Sequence, residues 1–307
     1  MTKSFTANGK LLISGEYFVL DGALALAIPT KTGQQLEVKA LDSDDQTLHW
    51  QSLDVKGKIW FHGKFRLPSL QLISSSDPAV GERLQNILQK SQLLNSSFLK
   101  GSSSKKVISK LEFPNEWGLG TSSTLIYNIA QWADVDPYSL LDQTFGGSGY
   151  DIACASAYGP IFYQRNGNKM LLQETHFQPS FSDQLYFVYL GKKQNSREGI
   201  ARYRAQGKVQ KTLIDQVSEL TKNLSTSTDL KKFEAFILEH EMIVAQNLKI
   251  EKVQDLYFSD FWGVVKSLGA WGGDFVLVTS DHSEKETRAY FEQKGFGIFI
   301  RYEDMVL

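Results

Sequence analysis

Between Pro114 and Thr124 the chain reads PNEWGLGTSST, and this segment constrains the fold more than any other. The run VISKLEF before it is strand-like and stops at Pro114. The run LIYNIAQWA after it places Leu125, Ile129 and Trp132 on one helical face. A strand, a glycine turn and a helix therefore follow in order. Gly118 and Gly120 let backbone N–H groups face a ligand, and Thr121, Ser122 and Ser123 open the helix with hydroxyls. Amides at the positive end of a helix favour phosphate, and one of these hydroxyls is a candidate Mg2+ ligand. An ordinary hydroxyl-capped helix is the competing reading.

Three further clusters carry chemistry-bearing residues. Asp151 follows the glycines of GGSGYD in a stretch free of other charge from Gln143 to Gln164, placed to accept or orient a hydroxyl proton. An Asx turn is its bland alternative. Lys10 opens the apolar run of ANGKLLISGEY; near Asp151 it would hold that carboxylate ionised and neutralise phosphate charge, whereas a solvated strand end needs no such role. Glu16 either positions Lys10 or a substrate group or, the favoured reading, is a solvated turn acid. In GAWGGD, the glycines Gly269, Gly272 and Gly273 permit positive φ before Asp274 and the buried strand FVLVTS.

The remaining sequence reads as alternating strands and helices. Lys10–Leu26 looks like two strands joined by tight turns, followed by strands at Gln35–Ala40, Thr47–Leu53 and Lys58–Arg66 and a helix over Gly81–Leu94. Pro137–Thr144 is a short helix, PIFYQR a strand, and a first domain of residues 1–174 ends near Glu174. In the second, 175–307, QLYFVYL is a buried strand, and Ser196–Ser225, Leu230–Leu248 and Asp255–Leu268 are expected helices. GAWGGD then lies between a helix and a strand, and Ser283–Lys294 and FGIFIRY close an α+β layer.

Composition narrows the function by exclusion. Thirty-three Lys and Arg against 34 Asp and Glu give a net charge of -1, which disfavours a nucleic-acid partner. One cysteine, Cys154, rules out an internal disulfide framework and reads as a small buried hydrophobe in a cytoplasmic protein. No membrane segment or signal-peptide core is found, the five histidines lack metal-like spacing, and GxxxxGK[ST], HExxH and GxSxG are absent.

In order along the chain, GKLLISGEYFVLDG, PNEWGLGTSST and KSLGAWGGDF resemble the three motifs of the GHMP kinases, the superfamily of galactose, homoserine, mevalonate and phosphomevalonate kinases. GSGYDIA looks most like the mevalonate and phosphomevalonate kinase branch and a bacterial group named for its GYDIA segment. The resemblance implies an α+β, two-domain fold: an N-terminal ribosomal-protein-like α/β domain that binds ATP, and a C-terminal ferredoxin-like α+β domain. It implies that Gly118, Leu119, Gly120, Thr121, Ser122 and Ser123 wrap the triphosphate, with Ser122 on Mg2+. Gly269, Ala270, Gly272, Gly273 and Asp274 form the third motif, and Asp151 faces the acceptor with Lys10 beside it. Glu16, Ser148 and Gly149 fall on the substrate side. GKKQNSREGIARYR resembles the substrate loop of phosphomevalonate kinases, so Lys193, Ser196 and Arg197 would hold an anionic substrate, a basic capped surface helix being equally open.

The chain also departs from the pattern. Asn8 stands where the family has Pro before Gly-Lys, Trp271 replaces a glycine of the third motif, and the connector from Gly118 to Asp151 is short. The glutamate that helps mevalonate kinases bind Mg2+ falls near Leu140. The expectation is an ATP- and Mg2+-dependent kinase of mevalonate or phosphomevalonate, a monomer or homodimer. A diphosphomevalonate decarboxylase and a catalytically silent nucleotide-binding relative are the alternatives.

Overall fold

The computed structural model describes every residue except Met1, Asp44, Ser102, Asn168, Lys193 and Asn195. In chain order the first half comprises β1 (Thr2–Ser14), β2 (Ala25–Ala40), β3 (Thr47–Leu53), β4 (Ile59–Arg66), β5 (Leu72–Ser75), α1 (Pro78–Leu94) and β6 (Lys105–Leu111). There follow α2 (Thr121–Ala133), α3 (Pro137–Asp142), α4 (Tyr150–Ser156), β7 (Ile161–Asn166) and β8 (Lys169–Glu174). The second half comprises β9 (Leu185–Tyr189), α5 (Ser196–Ala205), α6 (Lys211–Thr226), α7 (Leu230–Leu248) and α8 (Val253–Tyr257). It closes with β10 (Val265–Ser267), β11 (Phe275–Thr279), α9 (Glu284–Gln293), β12 (Phe299–Arg301) and α10 (Tyr302–Met305).

This is a mixed α/β protein with one large and one small sheet. The chain divides into two compact units. One comprises residues 1–9, 32–115 and 119–156, and the other 10–31, 116–118 and 157–307. The first unit orders its strands β5-β4-β3-β6-β2, antiparallel except for the parallel β3–β6 pair. Leu36, Trp50, Phe65 and Val107 share a core with Leu84, Leu88, Ile126, Ile129 and Ile152 of α1, α2 and α4. Helices α1 and α3 begin on Asp77 and Asp136, each followed by Pro and each accepting the backbone N–H three residues on.

The second unit holds the β7–β8 hairpin, whose β7 pairs with Ala25–Ala27, and the antiparallel sheet β10-β11-β9-β12. Val188, Val276 and Val278 pack there with Phe258 and Phe291. Among the described residues, no helix is long and apolar enough to cross a membrane.

Three sequence expectations need correction. YFVLDG is not a second strand: Phe18–Asp21 forms a 3-10 turn closed by Gly22 at φ 89°. Ser196–Ser225 is not one helix but α5 and α6, because Gly207 at φ 88° ends the first. Asp255–Leu268 is not a helix either; after the five residues of α8, Val265–Ser267 forms β10 on β11, so GAWGGD joins two strands. An apolar run this short carries no decisive period, and the pairing partner chose. At Gly263 a Cβ would meet the Thr279 carbonyl oxygen at 1.9 Å, so this close crossing tolerates only glycine.

Candidate active site

The PNEWGLGTSST segment lies partly in each unit, and each part is held by its own neighbours. In the first unit, α2 begins at Gly120, whose φ of 100° is open only to glycine at low cost. The helix is pinned to β2 by buried side chains that sequence reading missed. Thr124 donates to Gln34 Oε1 at 2.6 Å, Asn128 donates to the Gln34 carbonyl at 2.9 Å, and Gln34 donates to Ser109 at 2.6 Å. Ser123 is turned back, donating to the Gly120 carbonyl at 2.9 Å. Ser122 is exposed in the first turn, and Thr121 Oγ1 is buried with no hydrogen-bond partner among the described residues.

Those features suit an anion. The first-turn amides of a helix have no intrahelical acceptor, and an orphaned hydroxyl beside them is a donor without a task. A phosphate chain placed there is met by the amides and Thr121, with Ser122 free to reach a divalent cation. No cluster of three or more His, Cys, Asp or Glu side chains able to hold a metal occurs among the described residues.

Asp151 occupies the first turn of α4, which packs on α2 within the same unit. The loop before it needs its glycines: Gly146, Gly147 and Gly149 lie at φ 65°, 114° and 89°. The Gly149 carbonyl accepts from Ala153 at 3.1 Å to start the helix, Ser148 is half-buried, and Asp151 Oδ1 accepts its neighbour's amide, Ile152 N, at 3.1 Å. Cys154 is wholly buried one turn later, as its small apolar character implied.

In the second unit, Lys10 on β1 donates to the Gly118 carbonyl at 2.8 Å. Trp117 stands edge-on to Phe275 with ring centroids 5.3 Å apart, and Tyr189 donates to the Glu116 carbonyl at 3.0 Å, so residues 116–118 are seated on β9 and β11. Gly118, at φ 68°, faces Asp274, whose carboxylate carbon a Cβ there would meet at 2.4 Å. Asp274 accepts from Gln194 N at 3.1 Å, and Gln194 donates back to the Gly272 carbonyl at 2.6 Å. The third glycine motif is thus a brace between Gly118 and the loop before α5. Gln194 gave no sequence signal.

Trp271 lies at φ 55°, a conformation disfavoured for a large side chain. Its ring is 5% exposed and packs with Tyr17 and Tyr203, which offsets the strain. Tyr17 stacks on Tyr203 at 5.6 Å and donates to the Ala270 carbonyl at 2.8 Å, tying the first motif to the third. Ser196 and Arg197 are exposed in the first turn of α5; Lys193 lies outside the described residues.

Glu16 is not a solvated turn acid. It is fully buried and ion-paired with Lys266 of β10, which also donates to the Ser267 carbonyl at 2.9 Å and lies 3.7 Å from Glu241. His240 Nε2 accepts the Gly15 N–H at 3.0 Å and lies 3.3 Å from Glu16, so its ring proton belongs on Nδ1. Burial and the Lys266 charge hold His240 well below the usual histidine range, hence neutral. Burial raises Glu16 against the opposing pull of Lys266, and pushes Glu241 up to about 8. One lysine thus serves two carboxyls, and one of these keeps its proton at neutral pH. Spacing alone offered no sign of this cluster, since its members come from a turn, a helix and a strand far apart in sequence.

No protein-family model matches the chain, and no curated protein sequence does. Solved structures match its fold over nearly their whole length. A Lin0012 protein from Listeria innocua superposes with a TM-score of 0.71 at 16% identity, covering 96% of both chains. Streptococcus pneumoniae phosphomevalonate kinase in complex with phosphomevalonate and AMPPNP gives 0.68 at 14%, covering 98% of this chain and 99% of that one. Methanococcus jannaschii mevalonate kinase gives 0.67 at 13%, covering 95% of each.

Proposed function

We propose that this protein is an ATP- and Mg2+-dependent small-molecule kinase that transfers the γ-phosphate to the hydroxyl or phosphate of a mevalonate-type metabolite. The observation that carries the reading is the start of α2: a glycine at φ 100° and a buried Thr121 hydroxyl with no hydrogen-bond partner among the described residues. The fold likeness to mevalonate and phosphomevalonate kinases supports it.

In this reading Gly118–Ser123 cradle the phosphates, residues 1–174 bind ATP and residues 175–307 form the ferredoxin-like domain. Mg2+, held by Ser122 and the nucleotide, would neutralise charge on the phosphates. Asp151 orients the acceptor and takes its proton, while Lys10 offsets the negative charge and steadies Gly118. Catalysis is then mainly positioning and charge stabilisation. Ser148 and Gly149, with Ser196, Arg197 and Lys193, are proposed to meet an anionic acceptor.

ADP release from ATP and Mg2+ tests the proposal with mevalonate, phosphomevalonate, diphosphomevalonate, homoserine and galactose in turn. Turnover on one mevalonate-type acceptor, abolished in Asp151→Ala, is the expected result. Carbon dioxide release from diphosphomevalonate would replace kinase by decarboxylase, and silence with all five would overturn the substrate class.

A further inference from the structure

In the first unit, α1, α2 and α4 cover one face of the β5-β4-β3-β6-β2 sheet, packing on Trp50, Phe65 and Val107. The opposite face carries a row of cationic residues. At one level across the five strands, the directly paired residues are Ser74, Lys64, His49, Lys106 and Lys39. Each sits one residue out of phase with the core positions of its strand, so the row lies on the face away from the helices. Like charges on directly opposed strand residues weaken a sheet, and a local rule broken without compensation marks a functional position.

Compensation is found only at one end of the row. Glu37 pairs with Lys39 at 3.0 Å, whereas neither Lys64 nor Lys106 has an ion pair among the described residues. His49 lies between those two lysines, and its Nε2 shares a hydrogen bond with Thr47 Oγ1 at 3.0 Å. Partial burial, then the charge of Lys64 and more weakly that of Lys106, hold His49 below its ordinary range, with Asp45 pulling the other way. The surface is concave here. A groove of about 340 Å³ is lined by His49, Gln51, His62, Lys64, Ser74 and Lys106, with no carboxylate in its lining among the described residues.

We propose that this groove binds the phosphate or diphosphate group of a small molecule, held between Lys64 and Lys106 with His49 between them. An anion supplies the counter-charge that the row lacks. Neighbouring strands lie roughly 4.8 Å apart, so the two lysines start about 10 Å apart across the sheet, within reach of one such group. The groove is of the volume that small-molecule sites have. The row also ends at neutral Ser74 on β5 and at the Glu37-paired Lys39 on β2, so its unpaired charge does not continue as a nucleic-acid track requires. The site lies on the side of the sheet away from α2, distinct from the phosphate site proposed at Gly120, and the inference holds whatever reaction the protein performs.

Carbon–proton NMR of the full chain reads His49 directly, its signal identified by its loss in His49→Gln. Inorganic pyrophosphate should raise the His49 titration midpoint by roughly half a pH unit or more, because an anion stabilises the imidazolium that the lysines oppose. Sodium chloride at equal ionic strength should move it less. In Lys64→Gln/Lys106→Gln the midpoint without ligand should already lie higher, and the pyrophosphate effect should disappear. The melting temperature of that variant should hold or rise, since two opposed charges are gone. The proposal is overturned by a midpoint unmoved at about 20 mM pyrophosphate, well above the millimolar Kd expected of a few exposed ion pairs. A shift matched by sodium chloride, or one that persists in the double variant, also overturns it. So does a single-stranded oligonucleotide or an anionic vesicle that moves His49 at phosphate concentrations where pyrophosphate does not.

Discussion

Lys10 donates to the carbonyl oxygen of Gly118 across 108 residues of sequence, so the first motif directly holds the first glycine of the second. Lys10→Met keeps much of the stem's packing but removes this bond and the charge. Its kcat is expected to fall roughly 10²–10³-fold with little change in melting temperature. Kinetics indistinguishable from wild type would show that Lys10 serves the loop's structure alone.

Gly118→Ala should be far costlier than its size suggests. The new Cβ would meet the Asp274 carboxylate at 2.4–2.6 Å, in a backbone conformation that L-residues disfavour. The brace between Asp274 and Gln194 must then yield. The expected signature is about 1–3 kcal/mol of lost stability and a raised KM for ATP. Both quantities remaining at wild-type values would mean that the loop has another conformation available.

Asp151→Ala should lower kcat roughly 10²–10⁴-fold while leaving ATP affinity, measured by calorimetry, nearly unchanged. Ser122→Ala should instead raise the Mg2+ concentration needed for half-maximal activity. An unaltered metal titration would remove Ser122 from the site.

Glu241 gives the protein a defined pH dependence of stability. Burial raises its folded pKa to about 8, against roughly 4.3 in the unfolded chain. Between those values the folded state holds the extra proton, so stability is greatest below the lower one and declines as pH rises towards about 8. Glu241→Gln cannot titrate. Its melting temperature relative to wild type should therefore climb between about pH 5 and pH 8, and parallel pH profiles for the two proteins would refute the assignment.

Lys266→Met leaves Glu16 buried without its cation and should cost about 3–5 kcal/mol, the range for breaking a buried ion pair from one side. Adding Glu16→Gln should recover part of that loss in denaturant unfolding, because the uncompensated carboxylate is then gone. A double variant as unstable as the single one would show that the two residues act separately.

The order of strand, glycine turn and helix around Gly118 and Gly120 was legible in the sequence because each glycine, cap and periodic face is a local requirement of the backbone. The same holds for β3, α1 and α7, whose patterns agree with their packing. YFVLDG and Asp255–Leu268 misled because short apolar runs are compatible with several conformations, and partners distant in sequence decided among them. So too with Glu16: an acid beside a glycine reads as a solvated turn until Lys266, His240 and Glu241 are brought around it from two other elements. Local chemistry thus determined where the chain turns around these glycines. Only tertiary structure decided which charges are removed from water, because desolvation depends on neighbours that the linear sequence does not place together.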